Sequence, residues 1–175
     1  MFINPYKRLI ARSPHLLGFG FLMVFYSSVG QTFFVGVFGP AIQEEFSLTH
    51  TAWGSIYMIG TLASAIVFIW SGPLIDRYRL PVFTLSVCAF MVVACAYMPF
   101  VSGPLMLVSG VFLLRHAGQG LARHVGTISM GRYFDRGRGR ALAIAALGQP
   151  IAEAMLPFLA VTAIAAVGWR WTYGG

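Results

Sequence analysis

The chain has 175 residues, of which 58% are hydrophobic, 15% are aromatic and only 10% are charged. Soluble domains are about 45–50% apolar and about 25% charged, so this composition indicates a membrane protein. It excludes a disordered chain, a coiled coil and a disulfide scaffold. The net charge of +7 does not indicate nucleic-acid binding, because the basic residues are dispersed between apolar runs.

Five stretches of the sequence are long enough to cross a bilayer, which takes about 20 residues per helix. In chain order they are predicted at residues 16–38, 52–75, 81–101, 105–130 and 141–165. The connecting loops are short, so we predict one all-α bundle at residues 16–175 after a cytoplasmic N-terminus at residues 1–15. The chain ends where a sixth span could start. It is therefore either a piece of a larger bundle or a complete short protein.

The distribution of basic residues predicts the orientation of the bundle. Nine of them lie in the N-terminal segment or in the loops after predicted spans 2 and 4, whereas only Arg170 lies in a loop on the other side. The nine are Lys7, Arg8, Arg12, Arg77, Arg79, Arg132, Arg136, Arg138 and Arg140. Cytoplasmic loops are enriched in Lys and Arg. We therefore expect a multi-pass protein of the plasma or inner membrane with a cytoplasmic N-terminus.

Predicted span 4 carries side chains that are costly in lipid. Arg115, Gln119 and Arg123 recur every four residues, so an α-helix places them on one face, and His116 lies on the neighbouring stripe. A central arginine costs about 2.5–3.5 kcal/mol on insertion scales. This face must therefore look onto protein or a water-filled cavity. We select these four residues as candidates for substrate binding or coupling, with purely structural helix contacts as the alternative.

Two polar residues in other spans are further candidates. Glu153 is the only acid in predicted span 5 and lies at a depth similar to that of Arg115, so the two could form a structural or a coupling pair. Gln31, in the polar middle of span 1, could contact a substrate or hydrogen-bond a neighbouring helix. No pattern of metal ligands or cofactor motif is present, so we assign no metal and no cofactor.

Two motifs resemble those of the major facilitator superfamily of transporters. Gly72-Pro-Leu-Ile-Asp76-Arg77, between predicted spans 2 and 3, is similar to the family's loop motif of a Gly followed four residues later by Asp-Arg. Arg115-His-Ala-Gly-Gln119-Gly is similar to the family's Arg-x-x-Gln-Gly motif, with the Gln one residue later. The resemblance covers almost the whole chain. It implies the N-terminal half of a twelve-span transporter, a latch function for Asp76 and a link between the fourth span and proton coupling.

These features predict a secondary active transporter that works by alternating access, and no enzyme. A fixed cation at mid-depth favours a small organic anion such as a carboxylate, in symport with protons or in exchange. One alternative is a proton-coupled exporter of drugs or hydrophobic cations, in which Glu153 meets the substrate. The others are an intramembrane enzyme, for which no nucleophile motif is present, and a structural membrane subunit. The expected partners are the substrate, protons, the lipid bilayer and a missing C-terminal half of the bundle.

Overall fold

The computed structural model describes residues 5–174, except for the side chains of Pro5 and Arg8. The first four residues of the predicted N-terminal segment, and Gly175, lie outside the described residues. The described part of the chain is nearly all helical and has five units long and apolar enough to cross a membrane, which confirms the predicted multi-pass all-α fold. These units are TM1 (Pro14–Glu45), TM2 (His50–Arg77), TM3 (Leu80–Phe100), TM4 (Pro104–Tyr133) and TM5 (Arg138–Gly174).

TM1 is a broken helix, although the sequence predicted an uninterrupted one. Its first α-helix, Pro14–Ser27, continues into a 3-10 turn at Ser28–Gly30. Gln31 then has extended backbone, with φ −82° and ψ 156°, and the second α-helix, Thr32–Glu45, follows directly. The hydroxyl of Ser27 donates to a carbonyl oxygen in the preceding turn. Serine side chains that bond to nearby backbone compete with helical hydrogen bonds, which favours a break here.

The other units also consist of several helical segments. Their bounds are His50–Ser71 and Leu74–Arg77 in TM2, Leu80–Tyr97 and Met98–Phe100 in TM3, Pro104–Arg115, His116–Ala122 and Arg123–Tyr133 in TM4, and Arg138–Ala146 and Gly148–Gly174 in TM5. The segment His116–Ala122 is π-helical, and Met98–Phe100 is a 3-10 turn. A short α-helix, Pro5–Arg12, precedes TM1.

TM5 is interrupted near its end, at Gly168. This residue has φ 80° and ψ 162°, a conformation that residues other than glycine rarely adopt. The following piece, Trp169–Gly174, is helical again. Trp169 Nε1 and Arg170 Nη2 each donate to the Glu45 carboxylate at 2.5 Å. The break in TM5 therefore allows a polar cluster that joins TM5 to the end of TM1.

TM4 and TM1 form the centre of the bundle, because they are its most buried helices, whereas most of TM3 and TM5 is exposed. The largest apolar cluster includes Phe38, Leu107 and Leu114, which are fully buried. Two smaller clusters, around Ile75 and Met130, lie nearer the other end of these helices. This packing places Arg115 and His116 of TM4 at the contacts with TM1 and TM2.

Candidate functional site

The break in TM1 lies directly against the π-helical segment of TM4. A Cβ atom on Gly118 would lie 2.7 Å from Gly30 Cα and 2.8 Å from the Ser27 carbonyl oxygen. A Cβ atom on Gly30 would lie 2.9 Å from Gly118 Cα. Only glycine fits at either position, so the two irregular backbones touch with no side chain between them. Such π segments are frequent at functional sites, and irregular backbone inside a membrane needs surrounding protein or water.

Arg115, the last residue before the π segment, joins TM4 to this break. It is only 6% exposed, and its Nη1 donates to Gly30 O and to Thr32 Oγ1, both at 3.2 Å. Its guanidinium carbon lies 5.3 Å from the centre of the Tyr57 ring. The Tyr57 hydroxyl donates to Thr32 Oγ1 at 2.9 Å. A charged donor thus satisfies a carbonyl at the break, and TM1, TM2 and TM4 meet at one guanidinium.

A cavity of about 250 Å³ opens beside Arg115, between TM2 and TM4. It is lined by Thr61, Ser64, Ala65, Phe68, Arg115, Gln119 and Gly120. Two atoms of these lining residues, Arg115 Nε and Thr61 Oγ1, are buried without a hydrogen-bond partner among the described residues. A buried polar group left unpaired costs about 1–3 kcal/mol. The wall of the cavity therefore contains polar groups whose hydrogen-bonding capacity is not used up within the described residues.

The arginine face predicted for TM4 is only partly preserved. Arg115 and Gln119 line the same cavity, whereas Arg123 lines a separate depression with residues of TM1 and TM5. The prediction assumed about 3.6 residues per turn throughout. The π-helical segment has more residues per turn, which rotates the side chains after it relative to Arg115.

Glu153 lies in this second depression and not at Arg115. The depression is lined by Val24, Arg123, Thr127, Ala146, Gln149, Pro150 and Glu153. Arg123 Nη1 donates to Gln149 Oε1 at 2.5 Å. Arg115 bonds to TM1 instead, and within residues 5–174 it forms no ion pair with Glu153. The pairing of Arg115 with Glu153 that their similar depth suggested is therefore not formed.

His116 lies behind the wall of the cavity and is not among its lining residues. Its Nδ1 is 3.3 Å from the Ser64 carbonyl oxygen, and its Nε2 is 3.1 Å from Ser71 Oγ, both in TM2. Three phenylalanine rings surround it, with centroids 5.6 to 6.4 Å away: Phe68, Phe90 and Phe112. The imidazole thus contacts TM2 and TM3 rather than the space in which a solute would bind.

Gln31 is 7% exposed at the extended residue of TM1, and its Nε2 has no hydrogen-bond partner in the part of the chain that the structure describes. The residues that sequence reasoning missed lie in TM2. They are Tyr57, Thr61, Ser64, Phe68 and Ser71, which contact Arg115 or His116 or line the cavity. Their spacing of four, three, four and three residues defines one helix face. That periodicity was the available signal.

The short helix at the end of TM2 forms an ion pair with TM4. Asp76 Oδ1 accepts from Arg132 Nη2, which also donates to the Ile75 carbonyl oxygen at 3.2 Å. The partner of Asp76 is therefore Arg132, in the last turn of TM4. The one-turn helix that contains Asp76 directs its carboxylate to the end of TM4, whereas Arg77 is exposed.

The structure is that of a polytopic membrane protein with polar groups in its interior. Its defining features are a broken TM1 against a partly π-helical TM4, a buried arginine at their contact, and an ion pair between TM2 and TM4. The sequence model of the Major Facilitator Superfamily matches residues 20–175, which is most of the chain. The chain therefore belongs to the major facilitator superfamily, a family of secondary transporters, as its motifs predicted. Searches of curated proteins and of solved structures gave no match.

Proposed function

We propose that the protein moves a small organic anion, such as a carboxylate, by alternating access, in symport with protons or in exchange. The cavity beside Arg115 is the proposed binding site. The observation that carries the proposal is the guanidinium of Arg115 in the wall of this cavity, where no acidic side chain of the described residues neutralises it. A carboxylate supplies an anionic partner in charge-assisted hydrogen bonds worth about 1.5–3 kcal/mol each.

The other side chains of the cavity suit the same class of solute. The hydroxyl of Thr61 and the amide of Gln119 can donate to a second carboxylate oxygen. Phe68 supplies an apolar surface for the rest of a small molecule. No acidic side chain lines the cavity in the described part of the chain, so an anion would not compete there with a resident carboxylate for Arg115.

Coupling is proposed to involve the second depression. Glu153 is exposed there, and Arg123 in the same depression bonds to Gln149. Exposed polar side chains are costly against lipid. We therefore propose that this face, together with Gln119, looks onto a further part of the transporter, such as a C-terminal half. Protonation of Glu153 would then change how tightly this face packs against that further part of the transporter.

The proposed orientation places the N-terminus in the cytoplasm of a plasma or inner membrane. It rests on the excess of Arg and Lys in the N-terminal segment and in the loops after TM2 and TM4. A single-cysteine variant such as Arg136→Cys, in a background without Cys88 and Cys95, should react with an impermeant maleimide only after cells are opened. Reaction in intact cells contradicts this orientation.

Export of a hydrophobic cation is the second candidate, because the exposed carboxylate of Glu153 attracts cations. The two functions are separated by reconstituting the protein, expressed from its complete reading frame, in liposomes. Saturable uptake of radiolabelled short carboxylates supports the anion transporter. Efflux of cationic dyes without carboxylate uptake supports the exporter and overturns the first proposal.

Variants of Arg115 test the binding site. We expect Arg115→Ala to abolish carboxylate uptake, and Arg115→Lys to lower it at least about 100-fold in Vmax/KM, because lysine keeps the charge without the guanidinium fork. Arg12→Ala, on an exposed part of the N-terminal helix, is the matched control and should leave uptake unchanged. If Arg115→Ala retains the uptake of the wild-type protein, the proposal is wrong.

A further inference from the structure

We propose that His116 is a positioning residue for transport. One ring nitrogen bonds to Ser64 in the wall of the cavity, and the other bonds to Ser71 near the end of TM2. The inference rests on the proposed anion transport at Arg115. The ring lies between Ser64, which lines the cavity, and Ser71, the last residue of the TM2 α-helix. One side chain therefore contacts both functional regions of TM2.

The hydrogen-bond partners fix which ring nitrogen carries the proton. Nδ1 lies 3.3 Å from the carbonyl oxygen of Ser64 and 3.4 Å from its Oγ. A carbonyl oxygen only accepts, so Nδ1 carries the hydrogen and donates to it. Nε2 is then the acceptor for the hydroxyl of Ser71 at 3.1 Å. The neutral Nδ1–H tautomer satisfies both nitrogens at once.

Aromatic rings hold the imidazole in this position. Phe112, one turn earlier in TM4, stacks on it with an interplanar angle of 14°, and Phe90 of TM3 contacts it edge-on at 6.0 Å. Phe68, which lines the cavity, packs on another side at 6.4 Å. Because His116 is only 4% exposed, its hydrogen bonds are shielded from solvent in this conformation. A shift of TM2 must therefore break them or carry the ring along.

The two contacts lead to different functional regions. Ser64 faces the cavity, whereas Ser71 directly precedes Gly72 and the short helix that carries Asp76. Losing the Ser64 contact should disturb substrate binding. Losing the Ser71 contact should disturb the movement of the short helix that carries Asp76.

Two amide substitutions separate these contacts. The asparagine amide nitrogen occupies approximately the place of Nδ1, and the glutamine amide occupies that of Nε2. We expect His116→Asn to keep the KM for carboxylate within about twofold of the wild-type value and to lower Vmax at least fivefold. We expect His116→Gln to raise KM at least fivefold with a smaller change in Vmax. Ser71→Ala should reproduce the effect of His116→Asn.

Ser55→Ala is the matched control, because Ser55 is an exposed TM2 residue whose hydroxyl donates to the Thr51 carbonyl oxygen of its own helix. It should change neither parameter. Equal losses in both parameters for His116→Asn and His116→Gln would show that His116 only supports folding, and would overturn the proposal. Wild-type values of KM and Vmax in both variants would also overturn the proposal.

A measurement without substrate separates this proposal from anion transport. In protein with 15N-labelled histidine, the signals absent from His116→Asn identify His116, and their shifts should show the Nδ1–H tautomer. A predominant Nε2–H tautomer overturns the positioning role, whatever the substrate. If the wild-type protein moves no carboxylate but His116 has the expected tautomer, the proposed substrate is wrong. The rate at which a maleimide labels Thr61→Cys then tests the positioning role. Labelling should be faster in combination with His116→Gln than with His116→Asn, and equal rates overturn the positioning role.

Discussion

Gly30 of TM1 and Gly118 of TM4 are in direct backbone contact, at the one place where both helices depart from α-helical geometry. Arg115 donates to the carbonyl oxygen of Gly30 beside this contact. The break in TM1 and the π segment of TM4 therefore stabilise each other. Irregular backbone that needs partners inside a membrane receives them from the facing helix and from one guanidinium.

The first prediction concerns the glycine contact. Gly118→Ala places a Cβ atom 2.7 Å from Gly30, and the atoms it meets belong to backbone, so no rotamer change relieves the clash. We expect a loss of about 3 kcal/mol or more, at the upper end of overpacking effects. Thermal unfolding of the purified protein measures it. Gly54→Ala, where no atom lies within 4 Å of the new Cβ, is the control and should not destabilise the protein.

Much of the fold was predictable because it depends on hydropathy and loop length. Five apolar stretches correspond to the five membrane-spanning units. The Gly72–Arg77 motif, expected between spans 2 and 3, instead forms the end of TM2, where Leu74–Arg77 are helical. The break at Gln31 was not predicted, since hydropathy is nearly the same for a broken and a continuous span. The serines and glycine before Gln31 were visible in the sequence, but their effect on the backbone depends on the facing helix.

The candidate site was predicted less completely, for a physical reason. Arg115 and Gln119 were identified and line one cavity, because a buried arginine in a span needs a polar surrounding. Arg123 and Glu153 were identified as well but line another depression. The helix periodicity used for TM4 fails across the π segment, and depth in the membrane does not determine which helices are neighbours. The partners of Arg115 in TM1, which are Gly30 and Thr32, depend on the packing of the two helices, whereas the periodicity of TM2 was the one signal for Tyr57.

The second prediction concerns Tyr57, which contacts Arg115 through its ring and Thr32 through its hydroxyl. Tyr57→Phe keeps the ring and removes one hydrogen bond, so we expect a stability loss of about 0.5–1.5 kcal/mol. Tyr57→Leu also removes the cation–π contact and should cost about 1–2 kcal/mol more. Unfolding midpoints of the two variants measure the difference. Equal midpoints would show that the ring does not stabilise Arg115.

The third prediction concerns the Asp76–Arg132 pair. Asp76 is 71% exposed and Arg132 is 37% exposed at their side chains, so the pair should contribute at most about 1 kcal/mol to stability. We expect Asp76→Asn to leave the unfolding midpoint nearly unchanged but to lower the transport rate, if the pair acts as the latch that the family resemblance implies. The charge-swapped double variant, Asp76→Arg with Arg132→Asp, should recover part of the rate. Arg79→Ala, at an exposed residue outside the Gly72–Arg77 motif, is the control.

The last prediction concerns Glu45, which joins TM1 to the end of TM5. Its carboxylate accepts from Trp169 Nε1 and from Arg170, whose Nη1 also donates to the Pro99 carbonyl oxygen at the end of TM3. Because the carboxylate is partly exposed, we expect Glu45→Gln to cost only about 1 kcal/mol, since the amide still accepts one of these hydrogen bonds.

Glu45→Ala should cost more than Glu45→Gln, because it leaves Trp169 and Arg170 without the acceptor that holds them beside the break at Gly168. Thermal unfolding, together with the fluorescence of Trp169 in a background without the other tryptophans, measures both the stability and the local change. Glu44→Ala is the matched control, since Glu44 is an exposed neighbour at the end of the same helix. A loss of stability in Glu44→Ala equal to that in Glu45→Ala would show that the charge of this helix end matters, rather than the contact with TM5.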